Sequence, residues 1–445
     1  MTKSKSRFGA ESQESTAPFG FFLLCVYTAL VLIRPHEWPI LSLQFPVLRI
    51  FLIATFFAYL VSLRPKVWNA QCTIMILLLF SMLLSEIRAL RFFSDLTFVI
   101  DWINTNTIPF ILFLGFLVSF GRQKIILLIS LLACIVMTQH AYVQVNNPFG
   151  EGWAETVIYR NDGANQMAQA RYIGIFNDPN DMGMFLVMNI PIAVFFLVSA
   201  KGWLMKGVYL LTTIFLVFGI YWTGSRGSLL GLLAVLFAFF YLRFGKMKSI
   251  LLAGISLPVI LVAMGSFRTI SKDDESSMQR LTAWYEGIQM LLHRPLFGFG
   301  KERFLEYHSK LAHNSFVTVM SELGIIGYTL WMSFVLLIFL MLLRIIKLKS
   351  DPVSSDISIK QEVTLAVFIL VSIIGYCSTA FFISRSYIMF FYIFAAMAAA
   401  SFIRVSKAKP ELQLEITGKD LLKVAFLSLV SLVLLYIIII TLLRI

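Results

Sequence analysis

The chain has 445 residues, of which 59% are hydrophobic, 15% aromatic and only 14% charged, with a formal net charge of +13 and a mean hydropathy of +0.83. A soluble domain of that length cannot hide so much apolar surface, so the composition excludes one and requires a bilayer. The positive charge is scattered over loop ends and forms no single patch, which argues against a nucleic-acid partner and fits topology signals and contacts with anionic lipids.

Apolar windows predict one all-α polytopic membrane domain, 1–445, with about 12–13 spanning helices. They fall near 17–33, 46–63, 70–86, 97–120, 124–139, 181–199, 205–222, 226–243, 249–265, 314–343, 362–383, 387–403 and 421–442. The first follows a polar, serine-rich start with no small-residue cleavage site, and reads as a retained helix. Cys25, Cys72, Cys134 and Cys377 all lie within spans, so free thiols are expected, with no disulfide and no metal site.

Lysine and arginine fix the expected orientation. With a cytoplasmic amino terminus, the clusters Arg64/Lys66, Arg122/Lys124, Lys201/Lys206, Arg243/Lys246/Lys248, Arg344/Lys347/Lys349 and Arg404/Lys407/Lys409 all fall on the cytoplasmic side. The segment 404–420 is then a cytoplasmic loop before an extra carboxyl-terminal helix, 421–442. Loops 34–45, 87–96, 140–180, 266–313 and 384–386 face outward.

The first large outer loop, 140–180, reads as mostly irregular and holds the run RYIGIFNDPND, 171–181. Its Pro179-Asn180-Asp181 is a plausible cap for the next helix. Arg171 lies at the start of that run, and Asp178 reads equally as a turn former or a ligand. Further on, Thr223-Gly-Ser-Arg-Gly-Ser228 separates two apolar runs so tightly that it must turn at the outer surface, which sets Arg226 at the head of a helix. Gly227 and Gly231 permit close helix approach. The Arg226 guanidinium suits phosphate oxygens or, alternatively, snorkels to lipid headgroups.

The second large outer loop, 266–313, interrupts the apolar pattern most strongly. Met278, Leu281, Tyr285, Ile288 and Leu292 recur at helical steps, predicting an amphipathic helix on the membrane surface with Arg280 at the edge of its apolar stripe. Pro295 ends it, and Leu-Phe-Gly-Phe-Gly, 296–300, reads as a flexible turn. His313-Asn314 then opens a long helix, with Asn314 as N-cap. The positive helix end favours the neutral imidazole a general base needs and also attracts phosphate; an ordinary interfacial histidine is the simpler reading. Glu322 lies about 13 Å further down that helix at ~1.5 Å per residue, where a carboxylate needs a partner; pairing with an arginine is expected ahead of direct catalysis.

Arg171, Arg226, Arg280, His313 and Arg385 come from five separated parts of the chain, yet the topology puts all of them at the outer surface. Several guanidinium groups beside a neutral histidine suit a substrate with a diphosphate and an attacking hydroxyl. No His/Cys/carboxylate run has metal-ligand spacing.

TGSRGSLLGLL, RLTAWYEGIQMLLHRPLFGFGKERF, HNSFVTVMSELGIIG and RYIGIFNDPND together resemble the O-antigen ligase and O-antigen polymerase superfamily of bacterial inner-membrane glycosyltransferases, across about residues 171–330. The ligase pattern of His-Asn, nine residues and Gly is met by His313-Asn314 and Gly324, whereas Gly327 stands where a threonine often follows. The resemblance implies a GT-C-like helical bundle with a lateral opening for a lipid tail, and an inverting, metal-independent transfer with no cofactor. A glycan on undecaprenyl diphosphate would pass to an acceptor hydroxyl of glycan, lipid A core or protein at the periplasmic face. Arg226 and Arg280 would hold the diphosphate, with Arg171 and Arg385 as further candidates. His313 would take the acceptor proton and Asn314 would orient the acceptor. The competing readings are a small-anion, bicarbonate-like transporter, which should show ionisable residues near mid-membrane in two related halves, and a membrane scaffold without chemistry.

Overall fold

The computed structural model describes residues 17–41, 46–62, 66–88, 97–162, 165–246, 250, 275–350 and 356–443. Apart from residue 250, the expected span 249–265 lies outside the described residues, as does the start of the second outer loop.

The helices follow the apolar runs. They are α1 (Pro18–Leu32), α2 (Val47–Ser62), α3 (Ala70–Arg88), α4 (Thr97–Trp102), α5 (Ile108–Phe116), α6 (Phe120–Asn146), α7 (Pro179–Ser199), α8 (Trp203–Trp222) and α9 (Arg226–Phe244). After these come α10 (Glu275–His293), α11 (Phe304–Tyr307), α12 (Ser315–Lys347), α13 (Ile357–Ala380), α14 (Met389–Ala408) and α15 (Gly418–Leu442). Among the described residues ten spans are long and apolar enough to cross a membrane, with α4 and α5 counted together, and α1 and α2 are shorter apolar helices. The protein is therefore an all-α, multi-pass membrane protein. A π-helical turn, Ile103–Thr107, joins α4 to α5 just before Pro109, which has no N–H for the carbonyl one turn back. The carboxyl-terminal helix is a real 25-residue element, and Arg344 at the end of α12 ties its start through Asp420 Oδ1 at 2.6 Å.

At the centre α7, α9 and α13 approach closely because small residues meet there. A Cβ on Gly183 of α7 would stand 2.2 Å from Ser228 Oγ of α9, and one on Gly231 of α9 would stand 2.4 Å from Thr379 Cγ2 of α13. Helices α8 and α15 lie outermost and expose apolar side chains such as Leu211, Phe218, Phe426 and Val433, as a lipid-facing surface does.

Two expectations about the outer loops are corrected. The first is not mostly irregular: α6 runs on to Asn146, and β1 (Ile158–Asp162) pairs antiparallel with β2 (Asn165–Gln169). The cap of α7 is Asp178, whose side chain accepts from Asn180 N at 2.8 Å.

The second correction concerns 296–300, which is docked rather than a free turn. Helix α12 is broken at Gly324, where φ is 63° and ψ −164°. An unbroken helix would pair Ile325 N with Ser321 O and Ile326 N with Glu322 O. Here Ser321 O accepts from Phe299 N at 3.2 Å and Glu322 O from Gly300 N at 2.9 Å. Ile325 N and Ile326 N donate to Pro295 O at 2.7 Å and Leu296 O at 3.2 Å. Four inter-segment bonds thus replace two helical ones, satisfying backbone that could not stay bare at membrane depth. Both glycines at the crossing are required: a Cβ on Gly298 would lie 2.4 Å from Glu322 backbone, and one on Gly324 2.6 Å from Leu296 backbone.

Candidate functional site

The starts of α7, α9 and α12 are fastened together at one end of the bundle. Ser225 caps α9 by accepting from Ser228 N at 3.2 Å, and its hydroxyl donates to Asn180 Oδ1 of α7 at 2.7 Å. Arg385 Nε donates to Asp181 Oδ1 of α7 at 2.6 Å. Arg385 N in turn donates to Ser315 Oγ at the head of α12 at 2.9 Å, and Ser386 Oγ bonds Ser315 O at 2.9 Å. Three positive helix ends therefore share one region, a setting that favours an anion.

The β-hairpin steadies the α8–α9 turn from above. Ala170 N donates to Trp222 O at 2.9 Å, and Gln169 Nε2 donates to Gly224 O at 3.0 Å. Arg226 is the first residue of α9 and is half-buried.

His313 precedes the cap of α12, half-buried, with φ at +47°. Asn314 Oδ1 accepts from Phe316 N at 2.9 Å and Val317 N at 3.1 Å, while its Nδ2 is buried with no hydrogen-bond partner among the described residues. Helix α10 packs alongside: Trp284 Nε1 donates to Ala312 O at 2.7 Å, and a Cβ on Gly287 would stand 2.4 Å from Val317 Cγ1. Arg280, half-buried, sits one turn before Trp284 on the same face of α10.

Phe381 and Phe382, just past α13, join these parts. Phe381 rests edge-on to Trp284 at 5.3 Å and lies 6.2 Å from Phe316. Phe382 Cβ is 3.1 Å from where a Gly227 Cβ would be. The neighbours of Arg226, Arg280 and His313 thus share this aromatic pair. Below it an open apolar groove of about 470 Å³ runs between α12 and α13, lined by Phe316, Phe339, Ile374, Cys377, Phe381 and Phe382.

The other named residues lie elsewhere. Arg385 and Glu322 line a separate polar cavity of about 700 Å³, with Asp178, Asp181, Glu302, Thr318 and Tyr387. Arg171 binds within the first outer loop, donating to Thr156 O at 2.9 Å, Asn177 Oδ1 at 2.8 Å and Glu155 Oε1 at 3.1 Å. The arginine expected opposite Glu322 is not its neighbour: the backbone amides of Glu302 and Phe304 and the Lys301 side chain face it instead.

The sequence reading missed two fixing interactions. Trp284 lies alongside the apolar stripe of α10, and nothing in the periodicity shows its ring N–H reaching Ala312. Arg303 grips the buried Glu86 of α3, with Nε at 3.0 Å from both oxygens and Nη2 at 2.7 Å from Oε2, and also bonds Glu306 Oε1 at 2.7 Å. The hydrogen bond to Glu86 holds the Arg303 guanidinium above its ordinary pKa. A lone glutamate near the predicted end of a span was the available signal.

Residues 211–332 match the family model described as O-Antigen ligase, a stretch that contains Arg226, Arg280, His313 and Gly324. That match supports the resemblance to the O-antigen ligase and polymerase superfamily over this stretch. No curated protein matches the chain.

Proposed function

Starting from the family match over residues 211–332, we propose that the protein transfers a glycan from undecaprenyl diphosphate to an acceptor hydroxyl, inverting the anomeric centre without a metal. Arg226 and Arg280 hold the diphosphate and stabilise the charge that develops as it leaves. His313 takes the proton of the attacking hydroxyl. Asn314, whose carbonyl oxygen is occupied in capping, has its amide Nδ2 left to orient the acceptor. Arg171 and Arg385 act through structure in this reading, because their guanidinium groups are engaged with Glu155 and Asp181.

The observation that carries the proposal is the apolar groove ending at Phe381 and Phe382, beside the helix starts bearing Arg226 and His313 and beside the helix bearing Arg280. A lipid tail in the groove would bring its diphosphate to those helix ends. Helices α9, α12 and α14 begin at the site end and finish with Arg243, with Arg344 and Lys347, and with Lys407. By the positive-inside rule this supports a periplasmic site, a cytoplasmic amino terminus and residence in a bacterial inner membrane. The break in α12 gives no support to a transporter, since its freed backbone groups are bonded to 295–300 rather than left to coordinate an ion.

The test is reconstitution in proteoliposomes with a lipid-diphosphate oligosaccharide and candidate acceptors. Glycan transfer supports the proposal, and product length separates single transfer from polymerisation. Uptake of labelled bicarbonate with no glycan product would refute it.

A further inference from the structure

The polar cavity beside the site lies across the α12 head from the apolar groove. Thr318 and Glu322, one turn apart on α12, face it, while Phe316 lines the groove. Among the described residues its wall carries four carboxyl groups, from Asp178, Asp181, Glu302 and Glu322, against one lining guanidinium, from Arg385, and the Lys301 side chain that faces Glu322. Asp181 is paired with Arg385 and Glu302 with Lys301, while Asp178 serves as a cap. Glu322 is different: it is 2% exposed, and its Oε2 has no hydrogen-bond partner among the described residues. The Tyr387 hydroxyl, on the same wall, is likewise buried without one. Two buried polar atoms without a hydrogen-bond partner, Glu322 Oε2 and the Tyr387 hydroxyl, stand on one wall, and such atoms are costly unless a ligand or water completes them.

Among the described residues no three of His, Cys, Asp and Glu are grouped as ligands for a metal ion. The cavity therefore offers spread hydrogen-bonding groups rather than a cation cage. Carboxylates accept from hydroxyl groups, a phenol both donates and accepts, and a chain of sugar hydroxyls presents both roles at repeated spacing.

We propose that this cavity is the acceptor-side sugar subsite, taking a hydroxyl-rich sugar that is neutral or amino-bearing and rejecting uronate or phosphorylated ones. Glu322 and Tyr387 position it by hydrogen bonds, and the excess of carboxyl groups over cations on the wall disfavours negative charge. This rests on the glycosyl-transfer reading, with the donor lipid held on the groove side and the acceptor on the cavity side of the same helix head.

The protein in lipid nanodiscs, free of donor, is titrated with tetrasaccharides of glucose, of glucosamine and of galacturonate. The first two should bind saturably and galacturonate about tenfold or more weaker, about 1.4 kcal/mol. Glu322→Gln should weaken glucose binding and narrow the gap to galacturonate. Tyr387→Phe, which keeps the ring, should raise the acceptor KM while leaving kcat nearly unchanged. Equal binding of all three sugars, binding of none, or both variants behaving as wild type would overturn the proposal and indicate that ordered water alone fills the cavity. Transfer without sugar binding removes only this subsite; sugar binding without transfer removes the glycosyl-transfer reading.

Discussion

The indole Nε1 of Trp284 donates to the carbonyl of Ala312 at 2.7 Å, one residue before His313 and one turn after Arg280. An otherwise exposed segment is thereby fixed to an amphipathic helix, and the two candidate groups are set on neighbouring supports. Trp284→Phe keeps the ring contact with Phe381 and removes only this bond. The loss should cost about 1 kcal/mol of stability and lower kcat with little change in donor KM. Steady-state kinetics in nanodiscs reads the split; a change confined to donor KM would mean that Trp284 serves binding instead.

His313 itself holds a left-handed backbone, φ +47°, which costs a side-chain-bearing residue roughly 1–2 kcal/mol and persists only where its surroundings impose it. Glycine relieves that cost. His313→Gly is expected to abolish transfer while melting no lower than His313→Ala, as measured by thermal unfolding in detergent. A clearly lower melting temperature for the glycine variant would show that the conformation is not strained.

The crossing of 295–300 with the α12 break leaves no room for a methyl group. Gly324→Ala and Gly298→Ala each place a Cβ within 2.7 Å of opposing backbone at positive φ, so each should destabilise by at least about 1–3 kcal/mol. Transfer should fall with folded yield. Wild-type melting temperatures for both variants would argue against the broken helix.

Arg303 is the partner of Glu86, whose side chain is 1% exposed. Removing only the cation strands a buried carboxylate, so Arg303→Met should cost about 3–5 kcal/mol. Glu86→Gln alone should cost less, and Glu86→Gln combined with Arg303→Met should recover much of the loss. A double-mutant cycle on unfolding midpoints measures it; simple additivity would contradict the pairing.

The fold was largely legible because apolar length is a strong signal. Twelve of the thirteen expected spans coincide with described helical segments, and the remaining one, 249–265, lies outside the described residues apart from residue 250. The TGSRGS turn also lies between two helices as expected, since six polar or small residues cannot continue an apolar span. What the sequence hid was pairing across distance. Gly324 and Gly298 are 26 positions apart and ordinary by composition, so neither a break in α12 nor its repair by 295–300 could be read from periodicity. The sequence ranks Arg171 and Arg385 behind Arg226 for the same diphosphate, but their pairing with Glu155 and Asp181 joins residues far apart in the chain and has no sequence signature. Glu322 correctly signalled a buried polar demand, but its neighbours come from the backbone of 302–304, which carries no sequence signature.

The most direct test compares single-turnover transfer and donor binding for wild type, His313→Ala, Arg226→Ala and Arg280→Ala, all reconstituted with the same lipid-diphosphate glycan. His313→Ala should retain donor binding and lose about 10²–10⁴-fold in rate. Arg226→Ala and Arg280→Ala should each weaken donor binding as well as slow transfer. Wild-type transfer by His313→Ala, or unchanged donor binding in both arginine variants, would contradict the assignment.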